Sequence, residues 1–269
     1  MIGSFTLFGK EIGTYGVAAI IGILATGCFA YIKAMRNRLD EVRMVFMLLF
    51  SAIGVFVGGH ILYGITNIQY IGLLFQAKNF TQWLNIAGML FGGQVFYGGL
   101  LGGIAAAIIY AKATKLENLG GYADIMAAGV PLFHTFGRIG CFLGGCCYGI
   151  ESSFGFTFHN SLIESANGVN RFPVQLFEAG FNLILFFVMW ALLNKGILKN
   201  KLFFLYLAVY SAGRFVLEFF RGDSYRGFLF GLSTSQIIAL MIIATVLIYT
   251  AVCIAKGRNK KTENQEQTP

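Results

Sequence analysis

Apolar runs of about 20 residues alternate along this chain with short polar, often basic, stretches, and about 20 residues is what a helix needs to cross hydrocarbon. Seven such runs can be marked, at roughly 13–33, 44–64, 88–111, 121–143, 174–194, 202–220 and 232–255. The fourth and sixth carry the most polar residues. The pattern predicts an all-α integral membrane protein with about seven transmembrane helices. It forms one membrane domain over residues 1–258, followed by a disordered tail over 259–269. The first 30 residues lack the basic start, short apolar run and small-residue cleavage site of a signal peptide, so 13–33 reads as a retained span.

Charge orients the spans. Lys33, Arg36, Arg38 and Arg43, then Lys112 and Lys115, then Lys195, Lys199 and Lys201, and finally Lys256, Arg258, Lys260 and Lys261 fall in alternate connections and in the tail. These hold 13 of the 20 Lys and Arg. The positive-inside rule makes them cytoplasmic, which puts the N-terminus outside and the C-terminus, with its tail, inside. The net charge of +8 therefore reflects topology, and no nucleic-acid partner is expected. Residues 65–87, 144–173 and 221–231 become external loops, and the middle one, between helices four and five, is long enough for a small external lobe.

Composition agrees: 57% hydrophobic against 12% charged residues excludes a soluble globule. The 35 glycines suit close helix crossings, and only 3 prolines leave the spans largely unbroken. The five cysteines, with Cys146 and Cys147 adjacent, match neither a zinc-ligand spacing nor a disulfide framework, so no metal is expected.

A charge inside hydrocarbon costs several kcal/mol unless it is paired or wet, so depth is informative. At 1.5 Å rise per residue, Arg138 lies roughly 26 Å along the outward-running fourth span, with His134 one turn below it. Arg214, Glu218 and Arg221 lie roughly 18 to 29 Å along the sixth, on one helical face by their spacing. Gln175 and Glu178 open the fifth span, while Tyr15, His60 and Tyr97 reach outer depths on spans one, two and three. Six spans thus contribute polar groups to one outer layer. Arg214 with Glu218 suits a buried ion pair, but arginines outnumber acids on spans four and six, and guanidinium forks suit a phosphate. A phospholipid headgroup is the anion available at that depth. Gly98 and Gly99, with Gly102 and Gly103, suit helix packing or close approach of a ligand.

Gly137-Arg138-Ile139-Gly140-Cys141-Phe142 through Gly149 resembles the signature of the prolipoprotein diacylglyceryl transferase family, Gly-Arg-any-Gly-Asn-Phe-any-Asn-any-Glu-any-any-Gly. Cys141, Gly144 and Cys146 stand where that pattern has polar residues. Tyr15-Gly16, Asp124 before Pro131, and Arg171-Phe172-Pro173-Val174-Gln175-Leu176-Phe177-Glu178 are similar to further family strings in the right order. So are Gly213-Arg214-Phe215, Glu218-Phe219, Arg221-Gly222-Asp223 and Leu232-Ser233 with Gln236.

The resemblance implies transfer of diacylglyceryl from phosphatidylglycerol to the lipobox cysteine thiol of a preprolipoprotein, in a bacterial cytoplasmic (inner) membrane, with no cofactor. By matching position it implies catalytic roles for Arg138, Arg214 and Tyr97, and substrate contacts from Tyr15, Glu178, Glu218, Arg221, Gly149, Cys141, Gly98 and Gly99. Tyr97 stands where the family has a histidine before Gly-Gly, and His60 where it has an arginine. His134 is therefore the substitute general base, against the alternative of a neutral buried histidine. Two other functions remain open: a related phospholipid-dependent transferase with another acceptor, and a non-catalytic lipid-binding protein. A third, a thiol site at Cys146 and Cys147, leaves Arg214, Glu218 and Arg221 unexplained. Oligomeric state does not follow from the sequence.

Overall fold

The computed structural model describes residues 4–7, 9–161, 163–223, 228–229 and 231–266. Its helices are α1 (Thr14–Arg36), α2 (Glu41–Thr66), α3 (Phe80–Phe91), α4 (Phe96–Ala113), α5 (Leu119–Gly144), α6 (Val174–Asn194), α7 (Leu202–Leu217) and α8 (Thr234–Glu266). Three two-stranded antiparallel sheets accompany them: β1 (Ser4–Leu7) with β2 (Lys10–Gly13), β3 (Glu151–Thr157) with β4 (Asn170–Arg171), and β5 (Phe228–Leu229) with β6 (Leu232–Ser233). The last residues of the expected tail, 267–269, lie outside the described residues.

Among the described residues six helices are long and apolar enough to cross a membrane: α1, α2, α5, α6, the α7 segment to Phe220, and α8 from Thr234 to Cys253. The chain is an all-α, multi-pass membrane protein. Its surface carries the apolar side chains hydrocarbon requires, with Leu24, Phe56, Ile184 and Leu247 all about three-fifths exposed or more.

The third predicted span departs from the expectation. Its 88–111 run is split between α3 and α4 by a break over 92–95, and α4 is a shorter apolar helix. The cause is local. A side chain at Gly93 would enter the Tyr63 ring, so the backbone there lies against α2. The freed amide of Val95 donates to the carbonyl of Gly59 (3.1 Å), and His60 Nδ1 lies 2.6 Å from the carbonyl oxygen of Phe91. Groups orphaned by the break are thus satisfied by α2, as an apolar surrounding demands.

The chain divides into two compact units, residues 1–29 with 123–269, and residues 30–122. In the second, α2 and α4 cross at glycines. A Cβ on Gly102 would lie 2.2 Å from the Gly54 oxygen, and one on Gly98 would lie 2.3 Å from the Gly58 oxygen. The four-residue spacing of Gly54 and Gly58 against Gly98 and Gly102 brings the backbones together.

In the first unit α5, α6 and α7 share a core of Ala127, Ala128, Leu185, Met189, Leu202 and Tyr206. Buried Asp124 on α5 accepts the amides of Asn200 (2.5 Å) and Leu202 (2.9 Å), so it caps the start of α7 and fixes its level against α5. The predicted lobe between α5 and α6 is present as β3, β4 and their connection, around Tyr148, Phe158 and Ala166. Buried Arg171 staples it: its guanidinium sits 4.3 Å from the Tyr148 ring centroid and donates to the carbonyls of Ser165 (2.6 Å), Ala166 and Gly149 (3.4 Å each).

Gly102→Ala is expected to destabilise the chain by about 1–3 kcal/mol, because the added methyl meets backbone that cannot yield. Gly27→Ala, where nothing lies within 4 Å, should leave stability unchanged or slightly raised. Melting temperatures in one detergent compare the two.

Candidate functional site

Four charged side chains from three helices of the first unit meet in the apolar interior. Glu178, 1% exposed, stands one turn into α6, whose Arg171-Phe172-Pro173 approach sets its level. Its Oε1 lies 3.0 Å from Arg138 Nη2 of α5 and its Oε2 lies 3.4 Å from Arg214 Nη1 of α7. Arg214 Nη2 in turn lies 2.6 Å from Glu218 Oε2, a pair one turn apart. One buried carboxylate therefore gathers two guanidiniums, each of which keeps further donors.

The excess of cations expected on spans four and six is balanced by a neighbouring helix and by the following loop. Glu178 engages Arg138 and Arg214, and Arg221 closes on Asp223 through Nε (2.9 Å) and Nη2 (2.7 Å). Arg221 also does not share the helical face of Arg214 and Glu218. After α7 the chain tightens into a 3-10 turn over Glu218–Phe220, and Arg221 is extended backbone, bridged to Gly149 of the lobe. Its Nη1 is buried without a hydrogen-bond partner. Burial opposes its charge, but the bonds to Asp223 more than compensate, so its pKa stays above the usual guanidinium value. Glu218, Phe219, Arg221, Asp223, Gly231, Ser233 and Gln236 line a cavity of about 190 Å³ beside the network.

His134, one turn before Arg138, has its ring 5.2 Å from that of Tyr210, and its Nδ1 is buried with no hydrogen-bond partner. Asn182, one turn after Glu178, is fully buried and donates to the Glu178 carbonyl (2.8 Å). Sequence reasoning missed Asn182 and Tyr210, although a buried asparagine four residues after a buried glutamate is a readable signal of a polar helix face.

Tyr15, in the first turn of α1, lies against Gly140, where a Cβ would come 3.1 Å from the Tyr15 ring. Gly149 is a backbone crossing: a Cβ there would lie 2.2 Å from the Phe172 oxygen and 3.0 Å from the Phe220 oxygen. Tyr97, Gly98 and Gly99 belong to the other unit, in the first turn of α4, where Gly98 and Gly99 face α2. His60 is spent on the carbonyl at the α3 break.

The three cysteines after Arg138 converge, although their spacing resembles no metal motif. The Sγ atoms of Cys141, Cys146 and Cys147 all lie within 4.8 Å of one another. The Cys147 thiol is held below the usual thiol range, first by hydrogen bonds from Cys141 and Cys146 and then, against burial, by the charges of Arg221 and Arg138.

A family model described as prolipoprotein diacylglyceryl transferase matches residues 3–252. The phosphatidylglycerol–prolipoprotein diacylglyceryl transferase of Clostridium tetani is 35% identical over 242 residues, 89% of this chain and 92% of that protein. The phosphatidylglycerol–prolipoprotein diacylglyceryl transferase 2 of Clostridium perfringens is 33% identical over 96% of this chain and 97% of its own. The Campylobacter jejuni transferase of the same description is 28% identical, covering 93% of this chain and 92% of that protein.

Glu178→Gln is expected to cost about 3–5 kcal/mol, because it leaves two half-buried guanidiniums without their shared buried anion. Thermal denaturation in detergent reads the loss.

Proposed function

The chain belongs to the prolipoprotein diacylglyceryl transferase family, and from that membership we propose that it transfers diacylglyceryl from phosphatidylglycerol to a prolipoprotein. It is then an enzyme of lipoprotein biosynthesis. The single observation that carries the reading is the pair of guanidiniums, Arg138 and Arg214, drawn to one buried carboxylate in an apolar surrounding.

The acceptor is the lipobox cysteine, attacking as thiolate. Its sulfur forms a bond to the diacylglyceryl carbon that bears the phosphate ester. The carbon–oxygen bond breaks, and its electron pair leaves on glycerol phosphate. Negative charge grows on that leaving group, so cations fixed in advance lower the barrier. Arg138 gives one nitrogen to Glu178 and Arg214 divides two between Glu178 and Glu218, which aims both forks and leaves donors for the phosphate oxygens. Glu178 and Glu218 also keep the empty site from being an uncompensated buried charge.

His134, one turn from Arg138 and with its ring beside Tyr210, takes the thiol proton. Tyr97, at the head of the α4 glycine run, stands at the position of the family's histidine. Tyr15 lines the lipid site against Gly140 and Cys141 contacts substrate beyond Arg138, whereas Gly98 and Gly99 are taken up by the crossing with α2. Arg221 with Glu218 borders the cavity that receives the glycerol headgroup, and Gly149 shapes its entrance. The chain sits in the bacterial inner membrane, N-terminus outside and C-terminus in the cytoplasm, with the β3–β4 lobe on the outer face.

Complementation of a cell lacking its diacylglyceryl transferase, with detection of glycerol phosphate released from phosphatidylglycerol, tests the reading. Both are expected. Release without lipoprotein modification would keep the lipid half and remove the lipobox acceptor, whereas neither result would leave a lipid-binding protein. Arg138→Ala and Arg214→Ala should each lower turnover by about 10²–10³-fold. Unchanged turnover in His134→Ala would remove that residue as base.

A further inference from the structure

We propose that Cys141, Cys146 and Cys147 form a three-thiolate site for a thiophilic cation, Zn(II) or Cu(I), at the end of α5. This goes beyond the transferase reading and does not depend on it.

The cluster is built by the way the helix stops. Gly145 is left-handed (φ 72), its amide bonds the Phe142 carbonyl (3.2 Å), and the Cys146 amide bonds the Cys141 carbonyl (3.0 Å). That pair of bonds is a Schellman cap, which sets the residue after the left-handed one beside the residue five before it. Here those two are Cys146 and Cys141. A cysteine spacing that matches no linear motif thus becomes a pair of neighbouring thiols.

Cys147 adds the third. It has φ 56, a left-handed conformation that a residue with a side chain adopts only at a cost. That backbone brings its sulfur back to within 4.8 Å of the other two. Gln175 of α6 donates to the Cys146 carbonyl (2.9 Å), and the Ser161 hydroxyl donates to that of Gly145 (3.1 Å), so the turn is held from two sides.

The dimensions suit a metal. A thiolate–zinc bond of about 2.3 Å puts three sulfurs around one ion about 4 Å apart, so the observed separations need only a small contraction. Soft thiolates select Zn(II) and Cu(I) over Mg(II) or Ca(II). Binding releases the thiol protons to solvent, and three thiolates overcompensate either ion, leaving a net negative site. Cys141 is buried while Cys146 and Cys147 are half-buried, so an ion has a way in and a side left for a further ligand. A disulfide is the competing use of these thiols. Joining the adjacent pair is strained, and joining either to Cys141 leaves the third sulfur idle.

The test loads the reduced chain, purified in detergent, with Zn(II) or with Cu(I), removes free metal, and counts bound metal and alkylatable cysteines by mass. One ion per chain is expected, with alkylation of Cys141, Cys146 and Cys147 slowed ~10-fold or more while exposed Cys28 and Cys253 react as before. Cys141→Ser and Cys147→Ser should lose the ion. Alkylation of the unaltered chain decides the matter even where a serine variant misfolds. Failure of both metals to protect the three thiols overturns the proposal. So does an ion retained after all three are replaced, or a disulfide among them that reductant opens without creating a metal site.

Discussion

A carboxylate buried among apolar helices must be paired, and Glu178 is paired twice, with Arg138 of α5 and Arg214 of α7. That constraint organises the first unit. Asp124 fixes α7 along α5 at one end, Asn182 and Glu178 present a polar stripe from α6, and the network closes through Glu218 where α7 tightens into its last turn. Replacing such a network by apolar side chains often costs little stability, whereas removing one partner alone is costly.

The same end of the first unit is fixed mostly by backbone. Gly149 and Gly222 meet so closely that a Cβ on Gly222 would lie 2.2 Å from the Gly149 oxygen, and the Gly222 amide bonds the Tyr148 carbonyl (3.0 Å). Arg171, each of whose three guanidinium nitrogens donates to a lobe carbonyl, holds the other side. The charged network and the cysteine turn both lean on this crossing, because α5, α6 and the end of α7 enter it within a few residues. Local glycine geometry thus sets where the long arginines can reach.

Much of this was legible in the residue pattern. Apolar run length marked the spanning helices to within a few residues, since hydrocarbon thickness leaves little choice of length. Arg138, Glu178, Arg214 and Glu218 stood out because charges are rare in such runs. What the pattern concealed depended on contacts rather than period. The break between α3 and α4 arises from Tyr63 against Gly93, and hydropathy averages over it. Arg221 was misplaced onto the face of Arg214 because a helix was extended by periodicity through Phe220, where the chain tightens and leaves. The sharing of Glu178 by two arginines required knowing which helices adjoin. The thiol cluster was hidden because ligand-spacing rules describe loops, whereas a Schellman cap folds a different spacing onto itself.

In the proposed mechanism Arg138 and Arg214 act as one unit on the phosphate of phosphatidylglycerol. A double-mutant cycle on glycerol phosphate release by the purified chain tests it directly, comparing Arg138→Ala, Arg214→Ala and the double variant. Groups acting as a unit are strongly non-additive, so the double variant should lose about as much turnover as either single one. Losses that multiply would show two independent contributions and contradict the account.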